Sequence, residues 1–225
     1  MGKTWGKDIW EIKSRFQKGI TVAEGVKGLL KGKKKYYSRL NELRNELFNF
    51  LKIHKEVRKI LEIGPGPDAT NAKFFYDKGF FWDLVDCSPN TLKLAKEKLN
   101  ERKINYFEQD MIDLKLPQKY DLIFCLRTFL HVPQHLSLRV MNNFNKHLKK
   151  GGYLVIDFHI KGRLTLKKWL WKGVYYLAHK IKTKFSGKDF YVTCGEYTTD
   201  ELADIFDRAG FDLIQKKYFW VLQKK

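Results

Sequence analysis

Residues 61–71 read LEIGPGPDATN, and this stretch decides the fold. It contains G-x-G-x-x-A, the pattern of the turn that joins a first strand to a helix in dinucleotide-binding α/β sheets. Prolines at 65 and 67 remove backbone N–H groups that would otherwise hold a phosphate at the helix N-terminus. Glu62 lies two residues before the turn, where a carboxylate would repel a pyrophosphate. The stretch therefore favours a ligand with a cationic end and no phosphate.

Strand and helix patterns alternate along the rest of the chain. Five segments are predicted to be parallel strands: 57–63, 80–86, 104–110, 120–126 and 153–159. Four segments are predicted to be helices that connect or follow them: 69–79, 88–101, 134–152 and 198–210. Residues 211–225 close the sheet, although they are few for two final strands. This order predicts an α/β fold, a Rossmann-like, doubly wound and mostly parallel seven-stranded sheet with helices on both faces.

Two basic segments lie outside this alternation. Residues 1–55 predict a helical N-terminal extension that acts as a lid, because leucines at 40, 43, 47 and 51 fall on one helical face. Residues 56–225 form the main domain, which a basic and aromatic insertion interrupts at 160–188.

The chain of 225 residues carries a formal charge of +19, which favours contact with an anionic partner. Lipid headgroups and nucleic acid both fit, and a merely Lys-rich soluble protein is the alternative. No apolar run approaches the roughly 20 residues of a membrane span, and the N-terminus has no signal-peptide core. The three cysteines are widely spaced without a zinc pattern, so no metal is expected. We therefore expect a cytoplasmic protein, peripheral to a membrane if lipid is the partner.

Three acidic residues lie where predicted parallel strands end. Glu62 is in the first strand, Asp86 closes the second and Asp110 closes the third. The carboxyl ends of parallel strands share one edge of the sheet, where α/β folds bind ligands. There Asp86 can accept both hydroxyls of a ribose, Asp110 an adenine amino group, and Glu62 can meet a cation. S-adenosylmethionine carries these groups and no phosphate, so it is the predicted cofactor, ahead of a nicotinamide dinucleotide.

Taken together, the motifs resemble those of the class I S-adenosylmethionine-dependent methyltransferases. LEIGPGPD is similar to their first motif, VDCSPNTLKLAKEKL to the ribose-binding acid with its helix, and QDMIDL to the adenine-contacting acid. YDLIFCLRTFLHV and LKKGGYLVIDF resemble the fourth-strand motif and the Gly-Gly entry into strand five. Asp68 stands where many members carry a third glycine, which predicts an altered turn.

The resemblance implies a set of positions around S-adenosylmethionine, with S-adenosylhomocysteine as the product and no metal. These cofactor-binding positions are Glu62, Gly64, Pro65, Gly66, Asp86, Cys87, Asp110, Met111 and Leu126. Methyl transfer is an in-line displacement at an already activated carbon, so we expect positioning to be the main catalytic device.

Two histidines are candidate catalytic residues on the acceptor side. His131 follows the fourth strand, where the family often lines its pocket, and His159 ends the fifth. Either could orient or deprotonate an acceptor. A histidine bonded to backbone at a helix entry is an equal alternative for His131. The four other histidines, at 54, 135, 147 and 179, are expected at the surface.

The stretch LKKWLWKGVYYLAHKIKTKF predicts a basic amphipathic helix within the insertion. Five apolar residues mark one face: Leu166, Leu170, Val174, Leu177 and Ile181. Such a helix with interfacial tryptophans is typical of a membrane surface. Lysines with aromatics also suit nucleic acid, and an apolar face can simply cover the pocket as a lid. Trp169 and Trp171 are therefore candidate substrate or lid residues, and so are Tyr36 and Tyr37 just before the long N-terminal helix.

We expect methyl transfer to oxygen or nitrogen of a small-molecule or lipid-like acceptor. An anionic membrane surface is a candidate place for this reaction. Two kinds of nucleic-acid base methylation are disfavoured. The fourth strand lacks the Asn/Asp-Pro-Pro-aromatic motif of exocyclic amine methylation. Methylation of cytosine C5 needs a nucleophilic cysteine, whereas Cys125 in this strand is expected to be a core residue. The alternatives are an RNA methyltransferase, favoured by the charge, and a protein that binds the cofactor without turnover. The sequence does not determine the acceptor atom or the oligomeric state.

Overall fold

A computed structural model of the chain describes residues 33–100, 103–161, 195–217 and 219–225, together with Val174, Leu177 and Ile181. The side chains of residues 33–41 are outside this description. The first half of the predicted extension, most of the insertion, and the candidate lid residues Trp169 and Trp171 therefore lie outside the described residues.

Nine strands and five α-helices are assigned in the described residues. The strands are β1 (Lys59–Ile63), β2 (Phe81–Asp86), β3 (Tyr106–Glu108), β4 (Tyr120–Cys125), β5 (Leu148–Ile156), β6 (His159–Ile160), β7 (Glu196–Tyr197), β8 (Phe211–Lys216) and β9 (Trp220–Lys224). The helices are α1 (Lys33–Ile53), α2 (Thr70–Tyr76), α3 (Pro89–Leu99), α4 (Ser137–His147) and α5 (Thr199–Arg208). Single 3₁₀ turns cover Met111–Asp113, Phe129–His131 and Gln134–Leu136.

Seven of the strands form one sheet, as the sequence predicts. Their order is β3-β2-β1-β4-β5-β9-β8, and β9 runs antiparallel to both of its neighbours. Residues 211–225 therefore hold two strands after all, because a short turn joins β8 to β9. Strands β2 and β3 are added on one side of β1, and β4 and β5 on the other, so the strand order reverses between β1 and β4. In such sheets a ligand crevice lies at the carboxyl ends of the two strands.

Apolar side chains alternate along the central strands and bury both faces of the sheet. Leu61 and Ile63 of β1 face one cluster, which α4 and α5 cover. Ile60 faces the other cluster, which α1, α2 and α3 cover. This burial on two faces is what a parallel sheet needs, and it confirms the doubly wound arrangement.

Helix N-termini follow the chemistry expected from the sequence. The Ser88 hydroxyl accepts a hydrogen bond from the Thr91 N–H at 3.2 Å, and Pro89 occupies the first turn of α3. Thr198 caps α5 in a capping box with Glu201. The two helices therefore begin where the cap residues predict.

Helix α1 packs against the sheet with the second half of its length. Leu47, Phe50 and Leu51 are buried in the cluster that also contains Phe75 and Trp82. The prediction that Tyr36 and Tyr37 precede this helix is wrong, because α1 begins at Lys33 and contains both. The division of the chain at residue 55 stays a prediction, but α1 shares the core of the domain that follows it.

Three predicted element ends are wrong. Helix α4 ends at His147, because Leu148 is buried and pairs with Tyr120 as the first residue of β5. Strand β3 ends at Glu108, so Asp110 lies beyond it. Strand β5 ends at Ile156, and His159 belongs instead to the separate strand β6.

His147 is not at the surface, contrary to the prediction. Its side chain is buried, its Nε2 accepts the Leu116 N–H at 3.0 Å, and its Nδ1 lies 2.8 Å from the Asn143 carbonyl. His54 is half-buried with its ring 4.7 Å from that of Tyr153. Both histidines bond to groups that are distant in sequence or lie one helical turn away. The polarity of the neighbouring residues, on which the surface prediction rested, does not reveal these partners.

Strands β6 and β7 form a two-stranded parallel ladder on either side of the insertion. His159 pairs with Glu196 and Ile160 with Tyr197. The described residues on either side of the insertion therefore lie next to each other, just beyond β5. Within the described residues, no helix has the length and apolar character that crossing a membrane requires.

Candidate active site

The turn after β1 contains two glycines, and glycine is needed at each for a different structural reason. Gly64 has a φ of +69°, and its N–H donates to the Val85 carbonyl at 2.8 Å. A Cβ at Gly64 would collide with the Thr128 side chain. Gly66 also has a positive φ, of +68°, but no described atom lies within 4 Å of where its Cβ would be. Gly64 is thus required by packing, whereas Gly66 keeps the outer side of the turn open to a ligand.

Glu62 is buried beneath this turn and holds a small hydrogen-bond network. Its carboxylate accepts from the Trp82 indole N–H at 2.8 Å and from the Asn71 amide at 3.0 Å. Asn71 in turn accepts from the Arg44 guanidinium of α1 at 3.1 Å. Burial raises the pKa of Glu62 to about 7, and these donors together with the Arg44 charge oppose the rise.

This network gives Glu62 two functions that the sequence did not separate. It joins α1, α2 and β2 through Arg44, Asn71 and Trp82, which sequence reasoning missed because they are nine or more residues away. It also places a carboxyl group that ionises as the pH rises through about 7 below the glycine turn. Negative potential at that point favours a cationic ligand.

Asp86 ends β2 at the edge predicted for ribose binding. Its Oδ1 accepts the Ser88 N–H at 2.9 Å, which orients the carboxylate, and the side chain is half-buried. Cys87 beside it is half-buried and reduced. Asp86 is the last residue of β2 and Cys87 the first of the loop to α3, as the motif predicts.

Asp110 lies next to Asp86 across the ends of β2 and β3. The Gln109 N–H donates to the Asp86 carbonyl at 3.1 Å, which ties the two loops together. The Asp110 carboxylate caps the following turn by accepting the Ile112 N–H at 2.9 Å. Met111 is half-buried against the core. The predicted ribose and adenine positions are therefore neighbours at one edge.

The loop after β4 contacts the glycine turn. Leu126 is half-buried, and the Thr128 hydroxyl lies 3.1 Å from the Leu126 carbonyl and 3.4 Å from that of Gly64. Arg127 between them has a φ of +56°, a strained value for a residue with a side chain. The half-buried His131 ends the next turn. Thr128 was missed in the sequence because no local pattern marks it.

The end of β5 contributes a carboxylate that the sequence left unassigned. Asp157 follows β5 directly, and its Oδ1 accepts the Arg127 N–H at 2.6 Å. Burial raises the pKa of Asp157, against the opposing charges of Arg127 and His159. His159 itself is exposed on β6. The pattern that marked Asp86 and Asp110, an acid at a strand end, could also have marked Asp157.

Hydrogen bonds fasten the segment that follows the insertion, residues 195–197, to this acceptor side. The Gly195 N–H donates to the Leu130 carbonyl at 2.7 Å, and the Gln134 amide donates to the Glu196 carbonyl at 2.6 Å. Tyr197 is buried with its hydroxyl 2.6 Å from the Ser137 hydroxyl. The insertion is therefore anchored beside His131, at the carboxyl ends of β4 and β5.

Cys125 is fully buried in β4, and burial raises the pKa of its thiol, so it has the properties of a core residue. Among the described His, Cys, Asp and Glu side chains, no group of three is placed to hold a metal ion.

The whole arrangement matches a known protein family. The methyltransferase domain family matches residues 33–216. The chain belongs to this family. The resemblance to the class I S-adenosylmethionine-dependent methyltransferases is thereby confirmed, and so is the Rossmann-like fold.

Two similar curated proteins carry related names. O-methyltransferase 3 of Dictyostelium discoideum is 27% identical over 71% of this chain and 38% of that protein. Malonyl-[acyl-carrier protein] O-methyltransferase 1 of Ilyobacter polytropus is 32% identical over 46% of this chain and 38% of that protein. The chain thus spans less than half the length of these relatives.

A solved structure supports the fold independently. The magnesium protoporphyrin IX methyltransferase of Synechocystis PCC 6803, solved with bound S-adenosylhomocysteine, aligns with a TM-score of 0.62 at 15% identity. The alignment covers 86% of each chain. At this level of identity the likeness establishes the shared methyltransferase fold.

Proposed function

We propose that the protein transfers the methyl group of S-adenosylmethionine to an oxygen or nitrogen of a small-molecule or lipid-like acceptor at an anionic membrane surface. The observation that carries the proposal is the position of the insertion. Its two ends are anchored at the carboxyl ends of β4 and β5, on the opposite side of the glycine turn from Asp86 and Asp110. A segment there can select and cover the acceptor.

The residues around the glycine turn suit the cofactor's chemistry. Glu62 supplies negative potential for its ammonium, and Asp86 and Asp110 offer carboxylates to ribose and adenine. The open space beside Gly66 allows a ligand to approach the backbone. S-adenosylmethionine supplies an activated methyl carbon, and the protein residues are left to bind, orient and exclude water.

Three described residues of the insertion support an apolar acceptor or surface. Val174, Leu177 and Ile181 are helical and expose 62%, 59% and 48% of their side chains. Their spacing places them on one helical face. Exposed aliphatic side chains on one face, in a protein of charge +19, suit a membrane interface that offers both apolar chains and anionic headgroups.

Oxygen is the acceptor atom that the relatives favour. Both similar curated proteins carry O-methyltransferase in their names. The side chains of His131 and His159 lie on the acceptor side as candidates for orienting or deprotonating a hydroxyl.

The test of the acceptor class uses S-adenosylmethionine labelled in its methyl group. The purified protein is incubated with a cell extract, which is then divided into organic-extractable, small water-soluble, RNA and protein fractions. We expect the label in the organic-extractable or small-molecule fraction. Label that appears in RNA alone would establish the RNA methyltransferase alternative, which the net charge supports.

The membrane part of the proposal has its own test. Wild-type protein should co-sediment with vesicles that contain phosphatidylserine, and far less with purely phosphatidylcholine vesicles. Changing Val174, Leu177 and Ile181 together to Ser should abolish most of this binding without changing the melting temperature. Phe81→Ser is the matched control, because Phe81 is 64% exposed and is the first residue of β2, at the end of the strand away from the insertion. Equal binding of all three proteins would contradict the proposal.

A further inference from the structure

Asp157 lies where the loops after β4 and β5 meet, on the acceptor side of the crevice. It directly follows β5, and its carboxylate is bonded to the loop that follows β4. That loop contacts the glycine turn through Thr128 and Gly64. The carboxylate of Asp157 thus lies between the cofactor side of the crevice and the anchor of the insertion.

The backbone at Arg127 is shaped around this carboxylate. Arg127 has a φ of +56°, and its N–H points at the Asp157 Oδ1, 2.6 Å away. A residue with a side chain pays a steric cost in this conformation, and such strain concentrates at functional sites. The single backbone N–H fixes one carboxylate oxygen and so orients the whole group.

The charged and titratable groups around Asp157 come from three elements. Arg127 on the β4 loop and His159 on β6 favour its ionised form, and the Cys125 thiol of β4 lies within electrostatic range. Burial opposes ionisation and is the largest influence, so the pKa of Asp157 is raised. A carboxylate in this condition is a better proton acceptor than an ordinary surface aspartate.

We propose that Asp157 faces the transferred methyl group and accepts the proton that the acceptor loses. This inference rests on the proposed function, since it assigns a base to the same reaction. The residue is distinct from the candidate histidines and from the three acids of the cofactor side.

The step balances without another reactant. A lone pair of the acceptor oxygen or nitrogen forms the new bond to the methyl carbon while the carbon–sulfur bond breaks and its electron pair stays on sulfur. The acceptor proton passes to the Asp157 carboxylate and from there to water. The sulfonium charge and the carboxylate charge are both neutralised, which a partly buried site favours.

A pair of cofactor analogues tests this assignment without knowledge of the acceptor. Sinefungin carries an amine in place of the methyl group, whereas S-adenosylhomocysteine has nothing there. Calorimetry gives the dissociation constants of both ligands. The change in their ratio between wild type and a variant reports charge at the methyl position, because the replacement of sulfur by carbon in sinefungin is the same for both proteins. We expect wild type to prefer sinefungin, and Asp157→Asn to lower that preference about five- to tenfold, the effect of one charge pair.

The same ratio should depend on pH in the wild-type protein. The preference for sinefungin is present when Asp157 is ionised and is lost as the pH falls through its raised pKa. Glu62 also titrates, but it acts on the ammonium that both ligands share, so its influence cancels in the ratio. In Asp157→Asn the ratio should stay constant from pH 5 to pH 8.

Each outcome decides the proposal. Asp157→Asn keeps an oxygen for the Arg127 N–H, and Asp207→Asn at the far end of α5 is the control. An unchanged ratio in Asp157→Asn overturns the assignment. If this variant loses stability or all ligand affinity, the wild-type pH series decides, and a flat ratio there overturns it. Failure of wild type to bind either analogue refutes the proposed function and this inference with it.

Discussion

The cofactor half of the crevice, formed by β1, β2 and β3, differs in construction from the acceptor half, formed by β4, β5 and the insertion. In the cofactor half, Asp86 and Asp110 lie at a strand end or within two residues of one, and each is bonded to its own loop, Asp86 to Ser88 and Asp110 to Ile112. Glu62 is the exception, because its partner Trp82 is 20 residues away. In the acceptor half, the bonds join segments about 30 to 65 residues apart, such as Arg127 with Asp157 and Leu130 with Gly195.

This difference separates what the family shares from what the individual protein selects. Local bonds reproduce the same cofactor surface wherever the short motif occurs, because the motif contains both partners. Long-range bonds depend on what the chain inserts between them. Residues of the acceptor half can therefore be replaced, and the choice of substrate altered, without disturbing the cofactor half.

The largest effect should come from Gly64→Ala. This change adds a Cβ that collides with Thr128 and forces a side chain into a positive φ, so unfolding should become easier by about 2–4 kcal/mol. Urea denaturation measures the loss. Gly66→Ala is the matched control, with a similar φ but open surroundings, and it should cost only about 1–2 kcal/mol. Equal losses for both would show that the contact between the halves at Gly64 is unimportant.

Glu62→Gln should reveal the buried charge through pH. The folded pKa of Glu62 is raised from 4.5 to about 7, so the folded state holds the proton more tightly than the unfolded chain. The stability this contributes is present below pH 4.5 and is lost as the pH rises through about 7, by about 3 kcal/mol in total. Relative to wild type, the glutamine variant should therefore become more stable from pH 5 to pH 8.

Binding should show the opposite trend with pH. Ionised Glu62 attracts the ammonium of S-adenosylhomocysteine, so wild-type affinity should fall as the pH drops from 8 to 6. In Glu62→Gln this dependence should disappear. Persistence of the same pH dependence in the variant would show that Glu62 only joins α1 to the sheet.

Asp86→Asn should weaken S-adenosylhomocysteine binding about tenfold or more, because charge-assisted hydrogen bonds to ribose are lost. Its melting temperature should barely change, since an asparagine oxygen can still accept the Ser88 N–H. Asp113→Asn is the control, because Asp113 pairs with the exposed Arg139 nearby. Calorimetry that finds no difference between the two variants would remove Asp86 from the cofactor site.

The smallest effect on cofactor binding should come from His131→Ala and His159→Ala. Both residues belong to the acceptor half, so the affinity for S-adenosylhomocysteine should change less than about twofold. Methyl transfer to the acceptor found by labelling should fall about 100-fold if either histidine moves a proton. A large loss of cofactor affinity in either variant would break the division into halves.

The sequence predicted the fold and the cofactor half because their causes are local. Strand alternation, the Ser88 and Thr198 caps, and the glycine turn each need only a few neighbouring residues. The acids that end strands could be placed at one edge from topology alone.

The rest depended on contacts between distant segments. His147 was misplaced because its partner is Leu116, and the Arg44–Asn71–Glu62 network was missed because it joins two helices to β1. The strand-end pattern could have marked Asp157, but its bond to Arg127, 30 residues away and in an unusual backbone conformation, could not be predicted. No periodicity in the sequence records such pairs.

The crevice at the carboxyl end of β1 should accept a cationic, phosphate-free cofactor. The most direct test is a calorimetric titration of the purified protein with S-adenosylhomocysteine and, separately, with NAD at pH 8. We expect S-adenosylhomocysteine to bind with one site per chain and a micromolar dissociation constant, and NAD to give no measurable heat. Binding of NAD without binding of S-adenosylhomocysteine would contradict the account.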